Sequence, residues 1–147
     1  MRLLGIDLGT KKIGLAITDI EQKFTFPLKT LENKDIEFKS SINEIGKIIF
    51  KYKNEIGKII LGFPTKMDGS ETKWTKKVKE FKQNLYKVVK LPIILQDERM
   101  TTINANTFLK EEMFFSCALT KKKKDEASAA IIIDEYLKKK RKREKKN

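Results

Sequence analysis

Three acids stand where packing alone would not choose one. Asp7 interrupts the apolar run Leu3-Leu4-Gly5-Ile6-Asp7-Leu8; Glu98 follows the apolar segment Pro92 to Gln96, with Asp97 beside it; Asp125 opens a small-residue and aliphatic run from Glu126 to Ile133. A carboxylate inside a buried strand is costly unless it is paired or binds a metal. If the first and last strands are neighbours, the three acids converge at one end of a sheet and repel one another until a divalent cation neutralises them. Two ions held about 3.5–4 Å apart by shared carboxylates can carry out in-line phosphodiester cleavage. Each acid also has a plainer reading. Asp7 can accept hydrogen bonds from the turn at Gly9-Thr10, Glu98 can pair with Arg99 or Lys12 at the surface, and Asp125 is a good helix N-cap.

Helical geometry separates Asp125 from Asp134. Nine residues at about 100° each leave the two acids half a turn apart, so only one can face the sheet end. Asp125 shares its face with Ala129, and Ala127, Ser128 and Ala130 are also small, which lets the helix start approach closely. Asp125 is the preferred candidate, and Asp134 is expected in solvent.

Composition removes several chemistries. The chain has 147 residues and no histidine, so it holds neither a Ser-His-Asp nor a Cys-His pair, nor any imidazole metal ligand. The lone Cys117 excludes an internal disulfide and suits a reducing compartment. A metal here must take oxygen ligands, which points to Mg²⁺ or Mn²⁺. No apolar run approaches the roughly 20 residues of a membrane span. No charged region followed by an apolar signal core opens the chain, and the expected location is the cytoplasm.

Charge points to a polyanion partner. The formal net charge is +13, from 33 basic and 20 acidic residues. More than half of that excess lies in Lys138–Asn147, where eight basic residues face one acid. Residues 1–137 are expected to form one domain, and 138–147 a basic tail, disordered or a frayed extension of the last helix. A basic body with a basic tail is the footprint of nucleic acid. The same charge can also be coding bias, since only Arg2, Arg99, Arg141 and Arg143 are arginine. Lys121 to Lys124 immediately precede Asp125 and can bring a phosphate backbone to the carboxylates. The loop from Gly62 to Ser70, with Asp68-Gly69, is either a second phosphate contact or an ordinary surface turn.

Hydrophobic periodicity supplies the elements that must position these residues. Leu3 to Leu8 and Ile13 to Ile17 read as strands joined by the short turn Gly9-Thr10-Lys11-Lys12, a hairpin. Phe24 to Leu31 alternates as a third strand, at an edge because of Pro27. Ile42, Ile45, Ile49 and Tyr52 mark a helix within Ile36–Tyr52. Gly57 punctuates, and Lys58 to Pro64 is a buried strand. A helix is expected over about Thr72–Val89, with Trp74, Val78, Phe81, Leu85 and Val88 on one face. A strand follows at Pro92–Gln96, then a helix from Thr102 to about Met113, capped by Thr101. Phe114 to Lys124 lacks periodicity, and a long helix starts at Asp125. This order implies a mixed sheet with helices on both faces, its later strands parallel to a neighbour.

Taken together, Gly5-Ile6-Asp7-Leu8-Gly9-Thr10-Lys11-Lys12-Ile13-Gly14, Gly62-Phe63-Pro64 with Met67-Asp68-Gly69-Ser70, Asp97-Glu98-Arg99-Met100-Thr101-Thr102, and Lys121 to Lys124 with Asp125 and Ala129-Ala130 resemble the YqgF/RuvX family. These are bacterial Holliday junction resolvases, also described as pre-16S rRNA nucleases. The match runs over about residues 1 to 137 in the family order. The resemblance implies an α/β, ribonuclease H-like fold, a five-stranded mixed sheet flanked by helices. It implies a divalent-metal nuclease whose catalytic and metal-binding acids match Asp7, Glu98 and Asp125. Two departures stand out: Phe114-Phe115-Ser116-Cys117-Ala118 replaces the small, Gly-containing turn usual before the lysine run, and the basic tail exceeds the family's typical end.

Three functions compete. The first is an endonuclease using Mg²⁺ or Mn²⁺ on structured nucleic acid, processing the 5′ end of pre-16S rRNA or cutting branched DNA. Its expected nucleic-acid contacts are Lys11, Lys12, Lys66, Arg99 and Lys121, Lys122, Lys123 and Lys124. A junction resolvase would act as a homodimer with two sites. The second is phosphoryl transfer, because Gly5 to Thr10 also resembles the first phosphate loop of the actin, hexokinase and heat-shock ATPase superfamily. That superfamily needs two such domains and an Asp-x-Gly-Gly motif, which this chain lacks. The third is a non-catalytic RNA-binding ribosome-assembly module on the same basic surface.

Overall fold

The computed structural model describes residues 1–65, 70–99 and 124–145. Five strands form one sheet: β1 (Arg2–Leu8), β2 (Lys12–Thr18), β3 (Thr25–Glu32), β4 (Ile56–Thr65) and β5 (Ile93–Arg99). The described helices are α1 (Lys39–Lys51), α2 (Lys73–Val89) and α3 (Lys124–Lys145). The sheet order is β3-β2-β1-β4-β5. β1, β2 and β3 run antiparallel, whereas β4 is parallel to β1 and β5 parallel to β4. This is the mixed sheet expected from the element order. The helix expected over Thr102–Met113 and the segment Phe114–Lys123 lie outside the described residues.

Alternation divides each strand between two layers. Leu4, Ile6 and Leu8 of β1 join Ile13, Leu15, Ile59, Leu61 and Ile93 in a core sealed by α1 and α2. Phe38 is its aromatic hinge, edge-on to Phe81 at 5.6 Å and to Trp74 at 6.3 Å. On the other face Leu3, Ala16 and Ile60 meet Ala127, Ala129, Ala130, Ile132 and Ile133 of α3.

β3 is an edge strand, as Pro27 required. The register with β2 shifts between Leu15 and Ala16, opposite Pro27, so a bulge absorbs the missing donor. α2 begins on a reciprocal cap: Thr75 N–H donates to Thr72 Oγ1 at 3.3 Å, and Thr72 N–H to Thr75 Oγ1 at 2.9 Å.

Several expectations need correction. α1 starts at Lys39 rather than Ile36, because Asp35 accepts from Lys39 N–H and Ser40 N–H and holds the preceding residues off the helix. Gly57 lies inside β4; the chain turns earlier, at Lys53 and Asn54 with φ of 46° and 68°, and Gly57 instead makes room for Met1. Val88 is exposed, because the core-facing row of α2 runs Val78, Phe81, Leu85 and Val89, and Val88 falls beside that row. β5 does not stop at Gln96 but continues through Arg99, since β4 continues beside it and pairs Phe63, Pro64 and Thr65 with Asp97, Glu98 and Arg99. Glu98 is therefore within the strand rather than past its end. β1 and β5 are not neighbours, because β4 enters between them. The helix begun at Lys124 continues through the basic segment to Lys145.

Candidate active site at the sheet edge

Asp7 is the second-last residue of β1, on the face that carries Leu3 and Gly5 and is covered by α3. Glycines stand beside it in both neighbouring strands. Gly14 is its partner in β2, and Gly5 precedes it on the same face. The parallel register Ile6↔Leu61 brings Gly62 alongside Asp7 in β4. Asp7 is half-buried, and neither of its cross-strand neighbours, Gly14 and Gly62, carries a side chain.

The same register orders β5. Gly62 pairs with Gln96, and Pro64 with Glu98. Ile94 packs on the α3 layer while Ile93 and Leu95 belong to the opposite core, so alternation puts Gln96 on the face of Asp7 and Asp97 on the other. The side chains of Glu98 and Arg99 lie outside the described residues.

α3 completes the edge. A Cβ on Gly5 would lie 2.6 Å from Ile133 Cγ1 and 2.8 Å from the Ala129 carbonyl oxygen, so the helix rests directly on the β1 backbone. Asp125 is four residues before Ala129 and eight before Ile133, on the same helix stripe. At the other end Thr25 Oγ1 donates to Asp134 Oδ1 at 2.8 Å. Thr25 pairs with Thr18, at the edge where β1 starts. Going from Asp134 back to Asp125 therefore runs along β1 toward Asp7. Asp134 is half-buried against β3 rather than in solvent, a correction that follows from α3 crossing the sheet. The side chains of Lys124 and Asp125 lie outside the described residues. Among the described residues no three acids gather closely enough to hold a metal.

The basic candidates divide. Lys11 and Lys12 are exposed in and after the turn that follows Asp7, at the edge of the acids. Lys66 and Lys121 to Lys123 lie outside the described residues. Lys138–Lys145 occupy the end of α3 that leaves the opposite edge, well away from Asp7.

Sequence reasoning passed over Gln96. Its residue is 4% exposed, in the row of Asp7 and Gly62, and its amide makes only a 3.5 Å contact to the Asp97 carbonyl. A polar residue ending an apolar strand was the available signal.

A family model described as "RuvX: Holliday junction resolvase" matches residues 1–139. The chain belongs to the RuvX family. A relative from Orientia tsutsugamushi (strain Ikeda), named "Putative pre-16S rRNA nuclease", is 44% identical over 111 residues, covering 74% of this chain and 66% of its own. A relative of the same name from Maridesulfovibrio salexigens is 41% identical, covering 76% of this chain and 79% of its own. Among solved structures, Thermus thermophilus RuvC superposes with a TM-score of 0.58 at 12% identity, over 90% of this chain and 92% of that one. The fowlpox virus Holliday junction resolvase gives 0.59 at 10% identity, over 95% and 99%. At such identity these likenesses establish the fold: the RuvX chain has the ribonuclease H-like architecture of the RuvC-type resolvases.

Proposed function

We propose that this RuvX chain is a divalent-metal-dependent endonuclease that processes the 5′ end of pre-16S rRNA. The observation that carries the reading is the placement of Asp7: near the end of β1, flanked by Gly14 and Gly62, on the face crossed by α3, with β4 between it and the end of β5 that contains Glu98.

The donor set fits Mg²⁺ or Mn²⁺. A chain without histidine offers carboxylate oxygens as its metal ligands, and the Asp7 residue is half-buried beside Gly14 and Gly62. Asp7, Glu98 and Asp125 would hold the ions. When bound, such ions polarise the scissile phosphate and lower the pKa of an attacking water. The chain's own part is to fix the three acids on separate rigid elements, so that their geometry does not depend on a loop. Lys11 and Lys12 hold substrate phosphates beside them. Lys66, which follows β4 in the chain, Arg99, which ends β5, and Lys121 to Lys124, which run up to and into the start of α3, are assigned the same role.

RNA is favoured because the relatives named for pre-16S rRNA are more than 40% identical, whereas the junction resolvases share the fold at 10–14%. The second reading, Holliday junction cleavage by a homodimer, rests on the family description. Cleavage of precursor rRNA and of a four-way DNA junction, each with Mg²⁺, Mn²⁺ or chelator, separates the two. We expect metal-dependent cut rRNA, and at least about 10³-fold loss in Asp7→Asn with unchanged folding, equivalent to ~4 kcal/mol of transition-state stabilisation. Equal cleavage by Asp7→Asn removes the mechanism. Tight, chelator-insensitive RNA binding without cleavage makes the protein an assembly module.

A further inference from the structure

On the face of the sheet opposite Asp7 lies an open groove of about 270 Å³, bounded by Thr10, Asn33, Lys34, Ile36, Trp74 and Lys77. It is tied mechanically to the acid edge. Asn33 N–H donates to the Lys11 carbonyl at 2.8 Å, and Asn33 Nδ2 to the Thr10 carbonyl at 2.9 Å. Both acceptors belong to the turn that follows β1. That turn is tight: a Cβ on Gly9 would lie 2.5 Å from the Lys12 carbonyl oxygen. The groove and Asp7 therefore sit on opposite sides of one short, well-braced connection.

The lining combines an aromatic surface with two lysines and one carboxylate, Asp35. Trp74 is half-buried and braced edge-on by Phe38 at 6.3 Å, and Ile36 beside it is 80% exposed. Lys34 and Lys77 are exposed, and neither forms an ion pair among the described residues. The nearby carboxylate, Asp35, is already engaged. It accepts from Lys39 N–H, Ser40 N–H and Ser40 Oγ, and the first of these bonds holds it below the usual carboxylate range. Lysines 73, 76 and 77 crowd the start of α2, which has no acid in its first turn, the reverse of what the helix dipole favours. An anion at this end relieves that repulsion. Because the Thr10 carbonyl can only accept, Nδ2 must face it, and Oδ1 is buried with no hydrogen-bond donor among the described residues.

We propose that this groove binds one unpaired nucleotide of the substrate strand, its base against Trp74 and Ile36 and its flanking phosphates at Lys34 and Lys77. The adjoining part of the strand crosses the turn at Thr10 and Lys11 to reach Asp7. The inference rests on the nucleic-acid reading above and deepens it: substrate is gripped at an unpaired position next to the cut. A paired base is stacked on both sides and cannot enter, whereas a base in a single strand offers a free π-face to an indole. The groove's size admits one base rather than a larger ligand.

Trp74 is the only tryptophan, so its emission from the full-length protein reports the groove directly. The experiment titrates the protein with a short single-stranded RNA, an abasic strand of equal length, and a duplex, following both Trp74 emission and the anisotropy of end-labelled strands. We expect the single strand to quench Trp74, and the abasic strand and duplex to bind without quenching. The double variant Lys34→Ala/Lys77→Ala should bind the single strand about 10-fold more weakly at low salt, with a shallower salt dependence. Binding seen by anisotropy with unchanged Trp74 emission, or equal quenching by the abasic strand, overturns the groove and leaves the nuclease reading standing. No binding by any strand overturns both.

Discussion

The two faces of the sheet are built from different residues, and the difference divides stability from chemistry. The α1/α2 face is filled by Leu, Ile and Phe, with Phe81, Leu85 and Ile45 wholly buried. The α3 face carries Gly5, Ala16, Ala127, Ala129 and Ala130 at its closest approach. Large side chains maximise buried apolar area but hold a helix at a distance. Small ones bury less and let a helix backbone touch the sheet. The acid edge needs the second arrangement, because an acid at the start of α3 can serve Asp7 only if α3 lies close to β1. The α1/α2 face then supplies the cohesion that the α3 face gives up.

Phe81→Ala tests this division with the largest expected effect. It removes a residue 1% exposed and edge-on to Phe38, and should cost about 3–5 kcal/mol in denaturant unfolding. Cleavage per folded molecule should change little, because Phe81 is on the face away from Asp7. A selective loss of cleavage at full folding would break the comparison.

Gly5→Ala is next, and should do the reverse. The added Cβ meets a flexible Ile133 side chain, which can move, and the Ala129 carbonyl oxygen at 2.8 Å, which cannot move without the helix. Overpacking of this kind costs about 1–3 kcal/mol. Lifting α3 also carries its first turn away from Asp7, so cleavage should fall at least about 10-fold in protein that remains folded, a loss of ~1.4 kcal/mol in transition-state stabilisation. Adding Ile133→Ala, which removes both side-chain contacts, should not rescue cleavage, because the carbonyl contact persists. Rescue would mean that side-chain crowding alone was involved.

A smaller effect separates the two ends of α3. Thr25→Val deletes the 2.8 Å bond to Asp134, at about 1–2 kcal/mol for a hydrogen bond to a charged group. Asp134 and Asp125 are nine residues apart, roughly 13 Å along the helix. Cleavage should therefore be unchanged once folding is corrected for, and the stability loss should appear in the denaturation midpoint. A parallel loss of activity would show that α3 pivots on its β3 contact.

Much of this architecture was legible in the residue pattern, and the exceptions have physical causes. Element order followed from periodicity because each element buries one face. Pro27 marked an edge because it has no N–H to give. The end of β5 was hidden because Gln96-Asp97-Glu98-Arg99 is four polar residues in a row, and pairing there is set by the backbone of β4, not by burial. Gly57 misled because the nearby positive-φ positions are taken by Lys53 and Asn54 instead. For the site, residue types singled out Asp7. Glu98 and Asp125 were named from residue types and the family resemblance; that β4 lies between the strands of Asp7 and Glu98 needed the sheet order, which is not a local property of sequence. Gln96 escaped notice for the same reason, since only the register places it in the row of Asp7.

Glu135 supplies the smallest test, on the outer flank of α3. Burial raises its pKa above the ordinary carboxylate value, against the attraction of Lys139 and Lys138. The folded protein thus holds this proton more tightly than the unfolded chain does. Stability from this group is present below the unfolded value, near 4.5, and is lost as pH rises through the folded one. Above its folded value Glu135 carries its charge in a place that disfavours it. Glu135→Gln keeps the shape and removes that cost, so it should raise stability at pH 7 by no more than about 0.5 kcal/mol, the scale of a half-exposed site. The gain should shrink toward pH 4. A loss at pH 7 would mean that attraction to Lys139 and Lys138 outweighs desolvation. Because Gly5→Ala moves α3 as a body and Glu135→Gln leaves it in place, cleavage should respond to the first alone.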